Sequence, residues 1–355
     1  MPEDQFRLVV LGDSIQWGQG LPEECKFTEL VRARIEKELR RPAVLVHRYA
    51  RSGASIGAKG DGLDGEGKPT AGHFDPGSLL GELPGGMPTV HAQASALLLD
   101  SAIDRTSIDL VLLDGGINPD DPGSPDGSDP FTRVLNPLTR IDDLRSDALK
   151  ACAGRMGGLL RRIVAGLPNA RVVVTGYYPI FSSDSDVPLA IPWLQAVVVG
   201  FPLFALLEGI LLARLSALSA VWAEASAAAL RTAVDEVNAG LGGPPRVGYA
   251  HVPFGPENCL FAPKSWLWGL NSLFQAEDLV AQARLSLCKE LQRDKDPFSV
   301  WASVGHPNQK GAVQYAAAIV HTLRDLGVLP AAPGGPAEWW ARIKDYLDRI
   351  TPGRS

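Results

Sequence analysis

The sequence predicts an α/β fold in which one parallel sheet lies between two layers of helices. Short apolar runs, such as residues 6–11 and 108–113, are typical of strands that are buried on both faces. Longer segments with apolar residues at helical spacing alternate with these runs, and that alternation is the pattern of βαβ units. The chain has 355 residues, of which 45% are hydrophobic, so it can bury one large core.

The same two patterns assign the other elements along the chain. The helix over residues 27–39, for example, has Phe27, Val31 and Ile35 on one face and charged residues on the other. Residues 57–86 are rich in Gly, Asp and Pro and lack apolar periodicity, so we expect a long loop there. In chain order the predicted strands are residues 6–11, 43–49, 108–113, 171–175 and 247–252, and the predicted helices are 27–39, 89–99, 144–167, 204–238, 276–291 and 312–326.

One segment, from Val187 to Leu207, is almost wholly apolar and is long enough for a membrane span. Prolines interrupt it, and a proline inside a helix costs about 3 kcal/mol or more. The pattern therefore favours a buried or lid-like helical insertion over residues 181–245. Peripheral contact with lipid, through the residues from Val187 to Leu212, is the alternative that stays open.

The chain divides into one large domain and a short appendage. Residues 1–330 carry all the alternating elements, including the helical insertion, and we expect them to form a single domain. Residues 331–355 begin with a Pro/Gly/Ala linker and end in a short helix with one apolar stripe.

Composition excludes several classes of function. The net charge is −6 and no long cluster of Lys or Arg is present, so we expect no nucleic-acid partner. The cysteines, Cys25, Cys152, Cys259 and Cys288, are widely spaced and form no CxxC pair, which argues against a cysteine metal site, although two disulfides are arithmetically possible. The N-terminus has no signal-peptide pattern, so we expect a cytoplasmic protein, with a secreted mature form as the alternative.

Small-residue turns follow three of the predicted strands, and these turns carry Ser14, Gly53 and Asn118. The flavodoxin-like strand order 2-1-3-4-5 would bring all three turns to one crevice at the carboxyl edge of the sheet. A fourth turn, before the last helix, carries His306. Acyl transfer needs a hydroxyl nucleophile, a base and N–H donors aimed at a developing oxyanion, and these residues supply them. The alternative for Ser14 is that Asp13 and Ser14 only form a turn and a helix N-cap.

Four blocks of the sequence carry a resemblance to a known family. They are Gly12-Asp13-Ser14 with Gly18, then Gly53, then Gly116-Ile117-Asn118, and last His306-Pro307-Asn308 with Gly311. In this order, and across residues 6–327, they resemble the conserved blocks of the GDSL, or SGNH, hydrolases. The resemblance implies the three-layer α/β/α fold of that family.

The resemblance also implies a serine hydrolase that acts on esters, thioesters or acetylated sugars without a metal or an organic cofactor. It makes Ser14 the nucleophile and His306 the base. It makes Gly53 and Asn118 the residues of the oxyanion hole. Together with the apolar insertion, this predicts an esterase or lipase for small-molecule or lipid-like carboxylic esters. A transacylase, a carbohydrate deacetylase and a catalytically silent binding protein are the alternatives.

One position departs from the family pattern. Members usually have an Asp three residues before the histidine, and here that position is Ser303. We expect either that a backbone carbonyl near Ser303 orients His306 or that a displaced acid does so, with Asp296 or Asp294 as the first candidates. A weakened enzyme is the third interpretation, since loss of the acid can cost about 10⁴ in rate.

Overall fold

The fold is a parallel sheet covered by helices on both faces, as the sequence predicts. The structure, a computed structural model, describes residues 5–58, 78–84, 88–118, 130–197 and 208–331. Within them a sheet of five strands has the order β2-β1-β3-β4-β5, which is the flavodoxin-like order. Its strands are β1 Phe6–Leu11, β2 Ala43–Arg48, β3 Leu110–Leu113, β4 Arg171–Thr175 and β5 Val247–Ala250.

Helices connect the strands and continue beyond the last one. The described α-helices are α1 Ser14–Trp17, α2 Phe27–Leu39, α3 Val90–Leu99, α4 Pro130–Leu135, α5 Ile141–Ala148, α6 Met156–Gly166, α7 Val187–Val197, α8 Glu208–Leu241, α9 Ala281–Glu290, α10 Pro297–Val300 and α11 Gln309–Asp325. A π-helical segment, Leu149–Arg155, joins α5 to α6. Short 3₁₀ turns lie at Glu23–Cys25, Leu80–Glu82, Arg105–Ser107 and Pro256–Asn258.

The two helical layers explain why the strands are apolar along their whole length. Helices α2 and α11 pack together on one face of the sheet, and α3, α6 and α8 pack on the other. The residues from Leu8 to Leu11 are consequently fully buried, although they point alternately to both faces. Because all pairings are parallel, the carboxyl ends of the strands lie at one edge, where the turns with the candidate residues are found.

Several element boundaries differ from the predictions. The helix predicted over residues 276–291 begins at Ala281, because the preceding residues form a turn closed by a bridge between Leu270 and Ala276. The helix predicted over residues 144–167 begins earlier and contains the π-helical segment. All four cysteines are free thiols, so the structure has neither of the two arithmetically possible disulfides.

The apolar insertion is only partly described. Helix α8 packs against α5, α6 and β5 as the connection between β4 and β5, while α7 precedes it. Among the described residues, the part of α8 from Gly209 to Leu241 is long and apolar enough to cross a membrane. Of its most apolar 18-residue stretch, 44% is buried in the protein. The predicted lid and the linker with its terminal helix include residues 198–207 and 332–355, which lie outside the described residues.

Candidate active site

The turn after β1 places Ser14 at the carboxyl edge of the sheet. Gly12 has φ of 147°, and a Cβ at this position would lie 2.0 Å from Oδ1 of Asp114, so only glycine fits. Gln93 clamps the turn: the Gly12 N–H donates to its Oε1 at 2.7 Å, and its Nε2 donates to the Gly12 carbonyl at 2.9 Å. Asp13 caps α1 by accepting a hydrogen bond from the Ile15 N–H at 2.9 Å. The capping role therefore belongs to Asp13, and Ser14 is the first residue of the helix.

Ser14 and His306 are in direct contact. Nε2 of His306 lies 2.7 Å from Oγ of Ser14, although 292 positions separate the two residues in the chain. The histidine backbone is held on both sides, because its N–H donates to the Ser303 carbonyl at 2.9 Å and its carbonyl accepts from the Trp268 N–H at 2.8 Å. This is the geometry that a base needs to take the proton of a serine nucleophile.

The residues after His306 explain how its turn is held. Asn308 caps α11 by accepting from the N–H groups of Lys310 and Gly311. Its amide also donates to the carbonyls of Ser265 and Leu267, at 3.0 and 3.2 Å. Asn308 thus fixes both the start of α11 and the neighbouring loop.

A second pair of turns completes the arrangement. Gly53 follows β2 with φ of 75°, in a turn closed by a hydrogen bond from the Ala54 N–H to the Arg51 carbonyl. Nδ2 of Asn118, in the turn after β3, donates to the Ala54 carbonyl at 3.0 Å. Gly53 and Asn118 line the same cavity as Ser14 and His306. The structure therefore brings these four residues to one site.

The cavity beside Ser14 has a volume of about 380 Å³, and apolar groups dominate its wall. Different elements supply the large side chains. Phe131 belongs to α4, Trp193 to α7 and Phe298 to α10, and Ile180 and Trp301 come from loops. Such a wall accommodates an apolar group of a ligand next to Ser14.

The surroundings of His306 keep its imidazole neutral. Burial is the main cause that lowers the pKa of His306 to about 4, and the carbonyls of Ser303 and Val304 oppose it. The charge of Arg284 also lowers this pKa, whereas the charge of Asp278 raises it. A neutral ring at neutral pH is the form that can accept a proton from Ser14.

Two buried carboxyl groups, those of Asp13 and Asp114, lie at the turn that carries Ser14. The Asp13 N–H donates to Oδ1 of Asp114 at 2.7 Å, and the Tyr177 hydroxyl donates to Oδ2 of Asp13 at 3.0 Å. Burial raises the pKa of Asp13, and burial together with the charge of Asp13 raises the pKa of Asp114 well above its usual range. Both groups therefore hold a negative charge less readily than exposed carboxyl groups do, and Asp114 does so least readily. Asp114 is not among the residues that the sequence analysis selects, although its position directly after a buried strand is a signal that indicates a residue at this edge of the sheet.

The candidate acids of the sequence analysis are not in contact with His306. Oδ1 of Asp296 accepts from the Phe298 N–H at 3.1 Å and caps α10, and Oδ2 accepts from the Ser299 hydroxyl at 2.6 Å. Asp294 is exposed to solvent. Within the described parts of the chain, Nδ1 of His306 makes no hydrogen bond of ordinary geometry, and the backbone acceptors that act on its ring are the carbonyls of Ser303 and Val304.

Ser303 instead contacts an acid that sequence reasoning missed. Its hydroxyl donates to Oδ2 of Asp278 at 2.6 Å, and Nη2 of Arg284 donates to the same hydroxyl at 3.1 Å. Arg284 also forms ion pairs with Asp278 and with Glu82. All four side chains are buried.

Glu82 connects this cluster to α1 and to the loop that follows α1. Its carboxylate accepts from Trp17 Nε1 at 2.8 Å, from Gln19 Nε2 at 2.9 Å and from the Gly20 N–H at 3.1 Å. No local pattern pointed to Glu82, which lies at the end of the predicted loop over residues 57–86. Among the described residues, no group of three or more His, Cys, Asp or Glu could hold a metal ion.

Solved structures that resemble this chain are lipases and esterases. Phospholipase A1 from Streptomyces albidoflavus and an extracellular lipase from Streptomyces rimosus each match it with a TM-score of 0.45 and 15% identity, over 89% of this chain and 99% of theirs. A GDSL-like lipase from Parabacteroides merdae matches with a TM-score of 0.36 and 11% identity, over 91% of this chain and 96% of its own. No protein-family model and no curated protein matches the sequence.

Proposed function

We propose that the protein is a serine ester hydrolase that cleaves carboxylic esters through an acyl-Ser14 intermediate. The observation that carries the proposal is the 2.7 Å contact between Nε2 of His306 and Oγ of Ser14, at the wall of an apolar cavity. A neutral imidazole in contact with a serine hydroxyl is the pair from which acyl transfer starts.

Acylation follows from the positions of these groups. Nε2 of His306 takes the proton of Ser14 while Oγ attacks the ester carbonyl carbon. Backbone N–H groups of Ser14 and Gly53 and the amide of Asn118 would bind the oxyanion, and Asn118 has a second N–H besides the one that it gives to Ala54. The histidine then passes its proton to the departing alcohol.

Deacylation repeats the same steps with water. His306 takes a proton from a water molecule, the resulting hydroxide attacks the acyl carbon, and the proton returns to Oγ of Ser14. Replacement of water by an alcohol would give the transacylase that the sequence leaves as an alternative.

An apolar acyl group is the substrate part that the cavity accommodates best. Its wall is mainly apolar, and Trp193 contributes to it from α7, inside the predicted insertion. This favours a lipid-like ester over an acetylated carbohydrate. The lid, the lipid contact from Val187 to Leu212 and the cytoplasmic location stay predictions.

Hydrolysis of p-nitrophenyl esters from acetate to palmitate, by wild type and Ser14→Ala, tests the proposal. We expect turnover by wild type and a fall of at least about 10⁴-fold in kcat for the variant, since the nucleophile is lost. Ser286→Ala is the matched control, because Ser286 lies on the exposed side of α9 and bonds only the Gln282 carbonyl among the described residues. Equal turnover by Ser14→Ala would refute the proposal.

A fluorophosphonate probe separates the hydrolase from a silent binding protein. We expect the probe to label wild type at Ser14 and not to label Ser14→Ala. An intact, folded wild type that stays unlabelled would favour the binding protein.

A further inference from the structure

Ser303, which stands at the position of the missing acid, forms a hydrogen bond with an acid that lies 25 positions earlier in the chain. Ser303 occupies the place that the family resemblance assigns to an aspartate, and its hydroxyl donates to Oδ2 of Asp278 at 2.6 Å. Ser303 and the side chain of Asp278 are both buried. A buried carboxylate therefore lies within one hydrogen bond of the side chain at position 303.

The carboxylate of Asp278 is fixed in this place from several directions. Both terminal nitrogens of Arg284 donate to it, so the ion pair is bidentate. Its Oδ1 also accepts from the Val280 N–H at 3.1 Å, which holds the turn before α9. The guanidinium is itself anchored by Glu82, at 3.1 Å from Nη1. Asp278 thus has a single orientation, with one oxygen toward Ser303.

Ser303 transmits this orientation to the base. Its carbonyl accepts the His306 N–H at 2.9 Å, so a shift of Ser303 would move the imidazole relative to Ser14. The charge of Asp278 also acts on His306 directly, since it favours the protonated ring that forms when Ser14 gives up its proton. The charge of Arg284 lowers the pKa of His306 by more than the charge of Asp278 raises it, so Asp278 offsets part of the effect of Arg284.

We propose that Asp278, paired with Arg284, is the positioning acid of this site and acts on His306 through Ser303. The inference rests on the proposed function, because it concerns the base of that reaction. It explains why a serine can stand at position 303: a carboxylate there would face the carboxylate of Asp278, and the two like charges would repel each other in a buried place. The Ser303 hydroxyl removes that conflict, since it donates to one carboxylate.

Moving the carboxylate from one position to the other tests the inference. We would compare wild type, Asp278→Asn, Ser303→Ala and the double variant Asp278→Asn with Ser303→Asp, in p-nitrophenyl ester hydrolysis from pH 3.5 to 8. We expect Asp278→Asn to lower kcat by about 10- to 100-fold with KM within about twofold, as for other groups that orient a ligand or base. Ser303→Ala should lower kcat by about 10-fold, because it keeps the ion pair and loses only the hydroxyl.

The pH profile distinguishes this role from a merely structural one. Among the described residues, the charged and titratable groups near His306 include Asp278, Arg284, the Ser14 hydroxyl and the Tyr178 hydroxyl, which donates to the Gly305 carbonyl. The buried carboxyl groups of Asp13 and Asp114 lie beside Ser14. Loss of the negative charge lowers the pKa of His306, so kcat/KM of Asp278→Asn should stay flat down to pH 4, where wild type loses about half. The double variant should regain part of kcat and move the acid limb back to higher pH.

Controls separate the possible failures. Asp294→Asn, at an exposed position, should leave both kcat and the pH profile unchanged. Circular dichroism shows whether each variant folds. If Asp278→Asn does not fold, Ser303→Ala tests the inference instead, since it removes no charge. If wild type is active and the folded variants keep its kcat and the acid limb of its pH profile, the inference about Asp278 is overturned and the proposed function is not. A wild type that neither hydrolyses esters nor reacts with a fluorophosphonate would overturn the proposed function as well.

Discussion

At the scale of single residues, the environment of His306 decides when the site can act. The imidazole is buried against Ser14, and burial lowers its pKa to about 4. A histidine in water would be half protonated near pH 6.5. The base should therefore be available in weakly acidic solution, where an exposed histidine would already be charged.

The resulting pH dependence is a direct prediction. We expect kcat/KM to rise through about pH 4 and to be level by pH 6, because His306 is neutral above its lowered pKa. The measurement is kcat/KM for p-nitrophenyl butyrate between pH 3.5 and 8, with circular dichroism to confirm folding at each pH. Half-maximal activity near pH 6.5 would mean that the ring is not buried as described.

Residue types in the site followed from the sequence, but their partners did not. Ser14, Gly53, Asn118 and His306 stand in turns that short motifs mark, and the structure brings all four to one cavity. Asp278 stands in no such motif. It is recognised only because Ser303 and Arg284 contact it.

At the scale of elements, the turn between β1 and α1 carries the proposed nucleophile, Ser14, and we expect it to tolerate little change. We expect Gly12→Ala to abolish activity and to lower stability by several kcal/mol, about the cost of a clash combined with strain at a positive φ. Gly158→Ala is the matched control, because its Cβ would meet nothing within 4 Å and should stabilise α6 by roughly 0.5 to 1 kcal/mol. Thermal unfolding and ester turnover check both variants, and a stable, active Gly12→Ala would contradict this account of the turn.

Helix α7 is predicted to set the length of acyl chain that the cavity accepts. Trp193 is buried, packs near Phe181 and Phe261, and lines the cavity. Trp193→Ala should enlarge the cavity, lower stability by about 3 to 5 kcal/mol and raise the ratio of kcat/KM for palmitate to that for butyrate. Leu149→Ala, at an exposed position, should change neither property. An unchanged ratio in a folded Trp193→Ala variant would refute a role of α7 in chain-length selection.

The elements themselves were predictable where their patterns were local. The periodicity of α2 predicted both of its ends, whereas α9 begins five residues later than predicted because a bridge between Leu270 and Ala276 closes the turn before it. Apolar periodicity indicates which face of a helix is buried, but it does not indicate where backbone hydrogen bonds close a turn instead.

At the scale of the whole molecule, one buried ionic cluster joins distant parts of the chain. Arg284 pairs with Glu82, which is 202 positions away, and Glu82 accepts hydrogen bonds from Trp17 in α1 and from Gly20 in the loop after α1. Asp278 and Ser303 continue the cluster to the turn of His306. The part of the site around Ser14 and the part around His306 are therefore held against each other by ion pairs as well as by apolar packing.

Removal of the positive charge of Arg284 should lower the stability of the fold. We expect Arg284→Ala to lower the free energy of unfolding by about 3 to 5 kcal/mol, because two buried carboxyl groups lose their counter-charge. Arg145→Ala is the matched control, since its ion pair with Asp142 is exposed and should contribute less than about 1 kcal/mol. Urea unfolding at pH 7 measures both, and equal small effects would show that the cluster does not hold the fold.

The sequence by itself determined the α/β class, because that class depends on patterns within short stretches. It also marked the turns that carry Ser14, Gly53, Asn118 and His306, and the flavodoxin-like strand order that it led us to expect is the observed one. Buried strands are apolar, helices repeat every 3.6 residues, and motif residues stand at strand ends. Only the tertiary structure decided what supports His306. A buried acid is selected by which carboxylate comes within hydrogen-bond distance of Ser303, and that depends on how the turn before α9 packs against the loop of Glu82. No spacing along the chain encodes such a contact, since the sequence alone does not distinguish Asp278 from Asp294 or Asp296 as the partner of Ser303.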